Sequence, residues 1–175
     1  MTDRRPGRGR YARVEREQRW TLVGVPADAK PSAEIVDRYI DGTTLRLRRI
    51  EGDGSVVYKL CQKVRDDPAD PENVRLTNVY ITEAEYATLS VLPAGEISKT
   101  RWTLGRFAVD EFHGALDGLV LAELELSPDG DLLPLPSFAV ADVTHDDRYS
   151  GGALSRVDAS DAGALIPRPE PAEPA

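Results

Sequence analysis

The sequence has one cysteine, Cys61, and two histidines, His113 and His145. A single thiol forms no internal disulfide and builds no zinc site alone, which points to a reducing, cytoplasmic compartment. Two histidines exclude a histidine-rich metal centre, so a metal would have to be held by carboxylates. That chemistry favours hard cations such as Mg2+ or Mn2+. No apolar run approaches the roughly 20 residues of a membrane span. The basic N-terminus has no apolar stretch behind it and so does not read as a secretory signal. Excess positive charge is also missing: net charge is −8 and the pI about 4.8, against a broad nucleic-acid surface. No internal repeat is evident.

What is present is a chain of 175 residues, 41% hydrophobic and 30% charged, enough for one folded domain with tails. "MTDRRPGRGRYAR" reads as a mobile basic arm. "DASDAGALIPRPEPAEPA" reads as a disordered Pro-, Ala- and acid-rich tail, because such composition buries too little apolar area to offset the entropy of ordering. The expected division is an arm over 1–12, a domain over 13–156 and a tail over 157–175.

Strand signals dominate the domain. "RVEREQRWTLVG", "EIVDRYIDG", "TTLRLRRIEG", "VVYKLCQK", "VRLTNVYI", "EISKTRWTL", "RFAVDEFHG" and "LVLAELEL" read as eight strands. Their turns fall at Asp41-Gly42, "EGDGS", Gly105-Arg106 and "GALDG", and "VRDDPADPEN" is a polar loop. "TEAEYATLSVL" is the clearest helix, with Thr82 and Glu85 spaced as a capping box. Many short antiparallel strands and few helices predict a mainly β fold, an eight-stranded antiparallel barrel with a few flanking helices.

Period two sorts the charges onto faces. Glu15, Glu17 and Arg19 share a face; so do Arg46 and Arg48, Lys59, Cys61 and Lys63, Lys99 and Arg101, and Glu123 and Glu125; Asp110 shares one with Phe112. An ordinary solvated sheet face also alternates this way. Two features favour a site. Like charges are grouped by strand, although like neighbours repel. In an acidic protein, five carboxylates meet seven cations on these faces. Carboxylates two apart can hold a divalent ion, and rows of Lys and Arg can bind phosphoryl oxygens.

These stretches, in this order, resemble the CYTH domains, or triphosphate tunnel metalloenzymes. Glu15, Glu17 and Arg19 match the Glu-x-Glu-x-Lys of their first strand, and "LRLRR" their Arg-x-Arg strand. "YKLCQK" is similar to their paired lysines, "SKTRW" to their Lys-x-Arg strand, "VDEF" to their Asp-bearing strand and "LAELEL" to their last Glu-x-Glu. "LTNVYITEAEYATL" and "FAVADVTHDDRYSGGALS" match the strand–helix and C-terminal segments of small bacterial members.

The resemblance implies a barrel tunnel and a metal-dependent triphosphatase, with inorganic triphosphate the expected substrate. Thiamine triphosphatase, adenylyl cyclase and a non-catalytic polyphosphate- or nucleotide-binding module are the alternatives. By position, Glu15, Glu17, Glu123 and Glu125 would surround Mg2+ or Mn2+, with Asp110 and Asp142 as further metal candidates. Arg46, Arg48, Lys59, Lys63, Lys99 and Arg101 would grip the triphosphate, and Glu15, Glu17 and Arg19 would serve catalysis. The expected partner is a small triphosphate, with no nucleic acid, no membrane and a possible homodimer. Arg19 departs from the usual Lys; a guanidinium keeps the charge but does not act as a base. Cys61 reads as a spacer, the histidines as solvated, and Trp20 and Trp102 as outer-face residues packed against helices.

Overall fold

The computed structural model describes residues 6–7, 9–65, 74–127 and 129–167. Most of the polar loop, part of the basic arm and the last eight residues of the expected tail lie outside the described residues. The strands are β1 (Arg13–Leu22), β2 (Lys30–Ile40), β3 (Leu45–Gly52), β4 (Ser55–Arg65), β5 (Val74–Ile81), β6 (Ala94–Leu104), β7 (Phe107–Phe112), β8 (Val120–Leu126) and a two-residue β9 (Ala141–Asp142). The helices are α1 (Glu83–Leu89), α2 (Gly151–Leu154) and α3 (Ala159–Ala162), with short 3-10 turns at Gly114–Leu116 and Asp147–Tyr149. Among the described residues no helix is long and apolar enough to cross a membrane.

All pairings are antiparallel, in the order β5-β4-β3-β2-β6-β7-β8-β1. β1 closes the sheet on β5 through Arg13↔Leu76, Val14↔Arg75 and Glu15↔Val74, making the expected eight-stranded barrel. β9, too short to carry a sequence signal, adds beside β1 at Trp20↔Asp142. The turns follow their residues. Asp53 (φ 49°) and Gly54 (φ 71°) make a two-residue hairpin in which both positions are left-handed, as a type I′ turn requires. Thr82 and Glu85 form the capping box of α1.

Two apolar clusters hold the barrel. One lies outside it: Trp20, Leu22, Val109, Ala122 and Leu124, with Phe107 and Phe138 packed on them. Trp20 meets Phe107 edge-on at 5.7 Å, and Phe107 meets Phe138 at 5.1 Å. Trp20 thus faces outward as expected, but a loop covers it rather than a helix. Gln18, fully buried, fastens that loop: its Nε2 donates to the Leu133 carbonyl at 2.9 Å, and its Oε1 accepts from the Leu133 amide at 2.8 Å.

The second cluster closes one end of the barrel. Ile97, Phe112 and Leu121 meet Val143, Tyr149, Leu154, Ala162 and Leu165 from the C-terminal segment. This corrects the expected tail boundary. Ala162 and Leu165 are buried, and the Tyr149 hydroxyl donates to the Leu165 carbonyl at 3.0 Å, so the folded chain extends past 156 to the end of the described region. Burial of these few apolar residues outweighs the polar composition around them. The arm is corrected in part as well: Gly7 is buried and its N–H donates to Gln62 Oε1 at 3.4 Å.

Candidate functional site

A cavity of about 630 Å³ occupies the barrel lumen. Its walls carry Glu15, Glu17 and Arg19 from β1, Arg46 and Arg48 from β3, Lys63 from β4, Lys99 and Arg101 from β6, and Glu123 and Glu125 from β8. The period-two assignment of faces holds on every one of these strands. In-register pairing stacks them: Glu17 stands opposite Glu125, and Arg19 opposite Glu123.

Three expected site residues lie elsewhere. Lys59 shares the inward parity of β4 but sits away from the cavity, its Nζ 5.1 Å above the Tyr80 ring. Asp110 is fully buried beneath the basic pair of β6: it accepts from Lys99 and takes both arms of Arg101 at 2.7 Å. It is a counterion rather than a cavity-lining ligand. Asp142 lies outside the barrel wall, accepting from Gln18 Nε2 at 2.7 Å and the Thr144 amide at 2.9 Å. The two-residue β9 places it there, on the side of β1 opposite Glu15, Glu17 and Arg19.

Asp37 went unmarked in the sequence. It is 0% exposed and faces Arg48 across the β2–β3 ladder. Arg48 grips it bidentately at 2.5 and 2.6 Å, and Arg46 Nε approaches to 3.6 Å. Asp37 therefore does for β3 what Asp110 does for β6: each basic pair on the cavity wall rests on one buried aspartate. Such a charge-assisted fork fixes the guanidinium plane while leaving other N–H groups toward the lumen. Arg46 Nε is buried without a hydrogen-bond partner, an unused donor at the cavity. The only sequence signal for Asp37 was its parity with Ile35 and Tyr39 on an otherwise apolar stretch; its meaning depends on the β2–β3 register.

The electrostatics follow burial and partners. Burial pushes the Asp37 carboxyl up, but Arg48 and Arg46 outweigh it and hold it well below the usual carboxylate range. Burial likewise opposes ionisation of Glu123, while Arg19, Lys99 and Arg101 hold it well below its ordinary value. Glu17 goes the other way. Burial raises its pKa and, with Glu123 and Glu15 beside it, outweighs Lys63 and Arg19. Burial lowers the pKa of Arg19, but Glu123 and Glu17 overcome it, so the guanidinium is a fixed cation. Cys61 is fully buried and its Sγ accepts from Arg46 Nη2 at 3.4 Å, a packing role. His113 Nε2 lies 2.8 Å from Thr100 Oγ1 and is half-buried rather than solvated.

The donor set suits a hard cation by type: four glutamates on one wall, one of them with a raised pKa. Their spacing is set by cations. Lys63 bridges Glu15 (2.6 Å) and Glu17 (3.9 Å), and Arg19 bridges Glu17 (3.5 Å) and Glu123 (2.8 Å). Accordingly, among the described residues no three carboxylate, histidine or cysteine side chains gather closely enough to hold a metal ion. Glu15, Glu17, Glu123 and Glu125 would hold one by exchanging these ion pairs for it.

The architecture is the closed antiparallel barrel implied by the resemblance to triphosphate tunnel metalloenzymes. The chain shares this fold with two solved structures of NE1496. One, described as a hypothetical protein, is 24% identical, with a TM-score of 0.54, over 82% of this chain and 99% of that one. The other, described as the inorganic triphosphatase NE1496, is 23% identical, with a TM-score of 0.51, over 81% and 93%. No protein-family model matches the chain, and no curated protein matches it at a significant level.

Proposed function

We propose that this protein hydrolyses a small triphosphate, inorganic triphosphate above others, inside the barrel with Mg2+ or Mn2+. One observation carries the reading: seven cations from four strands and four glutamates from two strands converge on one cavity within an acidic protein. The description of NE1496 as an inorganic triphosphatase supports it. Arg46, Arg48, Lys63, Lys99 and Arg101 would bind phosphoryl oxygens, with Asp37 and Asp110 presetting two of these pairs. Preorganised cations stabilise the charge spread over a phosphoryl group during transfer, and little else is asked of the protein. A bound divalent ion would neutralise phosphate charge and lower the pKa of water. Arg19 would hold the attacking water or a phosphoryl oxygen by donation; it keeps its proton and is not a base. Water attacks the terminal phosphorus, the bridging P–O bond breaks, and phosphate and pyrophosphate leave.

A second reading, binding without turnover, draws on the cation-bridged glutamates and on Arg19. A substrate panel separates the two. Inorganic triphosphate, thiamine triphosphate and ATP are each incubated with either metal, and phosphate, pyrophosphate and cyclic AMP are all measured. The hydrolase reading expects phosphate release, greatest from inorganic triphosphate. Saturable affinity with no product from any substrate establishes the binding reading instead.

A further inference from the structure

Every cation on the cavity wall named so far already has a carboxylate partner: Asp37 for Arg46 and Arg48, Asp110 for Lys99 and Arg101, Glu123 for Arg19 and Glu15 for Lys63. At the rim, Arg65 pairs with Asp147 at 2.5 Å. Arg106 lines the same cavity and differs. It is exposed, and among the described residues its side chain has no ion pair or hydrogen bond. Its place is set by the two-residue turn between β6 and β7, closed by Leu104↔Phe107. Gly105 occupies the first turn position at φ 57°, the left-handed conformation such a turn demands of glycine. Arg106 stands four residues outward from Asp110 along the chain, about 13 Å of extended backbone. Glu125 is the rim glutamate of the adjacent strand β8 and lines the same cavity, but among the described residues no ion pair joins it to Arg106.

We infer that Arg106 is a substrate-binding residue that contacts the outermost phosphoryl group and thereby distinguishes a triphosphate from a diphosphate. The inference rests on the triphosphate reading above. The physical reason is a difference between deep and rim cations. An anion at the deep pairs shares each cation with a buried aspartate or a half-buried glutamate. At Arg106 it meets a guanidinium held in no ion pair among the described residues, whose bidentate donors displace only water. A chain seated among the deep cations reaches the rim only if it carries a further phosphoryl group.

The test is calorimetric binding of inorganic tripolyphosphate and of pyrophosphate, without metal, to wild type, Arg106→Gln and Arg106→Lys. Arg106→Gln is expected to weaken tripolyphosphate about tenfold, the scale of one charge-assisted contact at a solvated rim, and to leave pyrophosphate within about twofold. Arg106→Lys recovers most of the affinity. The unliganded melting temperature of Arg106→Gln matches wild type, since no intramolecular bond is lost. If wild type binds neither anion, the triphosphate reading fails and this inference with it. If wild type binds tripolyphosphate and Arg106→Gln binds both anions as wild type does, the Arg106 inference alone is overturned. Equal weakening of both anions also overturns it, because a distant positive field makes no distinction of chain length.

Discussion

Replacing Asp37 with Asn removes one buried negative charge from beneath two cavity arginines. Asp37 is 0% exposed, and the Arg46 and Arg48 side chains it serves are 9% and 12% exposed. Breaking a buried pair by deleting one partner costs about 3–5 kcal/mol, because the surviving charge is left uncompensated. In a chain of this size that corresponds to a melting-temperature loss of roughly 6–20 °C. The lower half of this range is expected, since water in the lumen can solvate the freed guanidinium groups. The pH dependence has a definite sign. Arg48 and Arg46 hold the folded-state pKa below the ordinary 3.8, so the stabilisation is complete above that value. It is lost as pH falls through the folded-state pKa. The gap between wild type and Asp37→Asn is therefore full at neutral pH and narrows in strong acid. Tripolyphosphate supplies the missing negative charge and should raise the melting temperature of the variant more than that of wild type. The assay is thermal unfolding in buffers free of phosphate and sulfate, with and without tripolyphosphate. Equal melting temperatures near neutral pH without the anion would refute the reasoning, as would a gap that persists unchanged in acid.

Three further outcomes are expected. Arg19→Lys should keep turnover within about tenfold, roughly 1.4 kcal/mol of barrier, while Arg19→Ala loses much more, measured as turnover against pH for both variants. Glu17→Gln should abolish metal-dependent turnover. It should also raise the melting temperature of the metal-free protein, because the raised pKa of Glu17 means that its ionised form costs stability above that pKa. Leu165→Ala should destabilise by about 2–5 kcal/mol in chemical denaturation, as for other buried leucines, whereas a disordered tail would leave stability unchanged.

Much of this was legible in the sequence because strand parity and turn chemistry are local. Asp53-Gly54, Gly105 and the Thr82–Glu85 box mark their elements by residue type alone. Alternation placed Glu15, Arg19, Arg46 and Glu123 on the inward face without any knowledge of pairing. What required pairing stayed hidden. Asp37 gains its meaning from the Arg48 opposite it, eleven residues on. Asp110 and Asp142 are both acidic and near the charged strands, yet one is buried under Lys99 and Arg101 and the other is outside the wall. Gln18 reads as one more polar residue of β1, although it secures a loop more than a hundred residues later. The closing segment was obscured by composition: Val157, Ala162, Leu165 and Ile166 lie among Asp, Ser, Gly and Pro, and their apolar character counts only once the open end of a barrel is there to receive them.

The measurement closest to the central claim is phosphate release from inorganic triphosphate by the purified protein, with Mg2+ or Mn2+ and again in excess EDTA. The account predicts multiple turnovers with metal and none in chelator. No release with either metal, or release undiminished by EDTA, would contradict it.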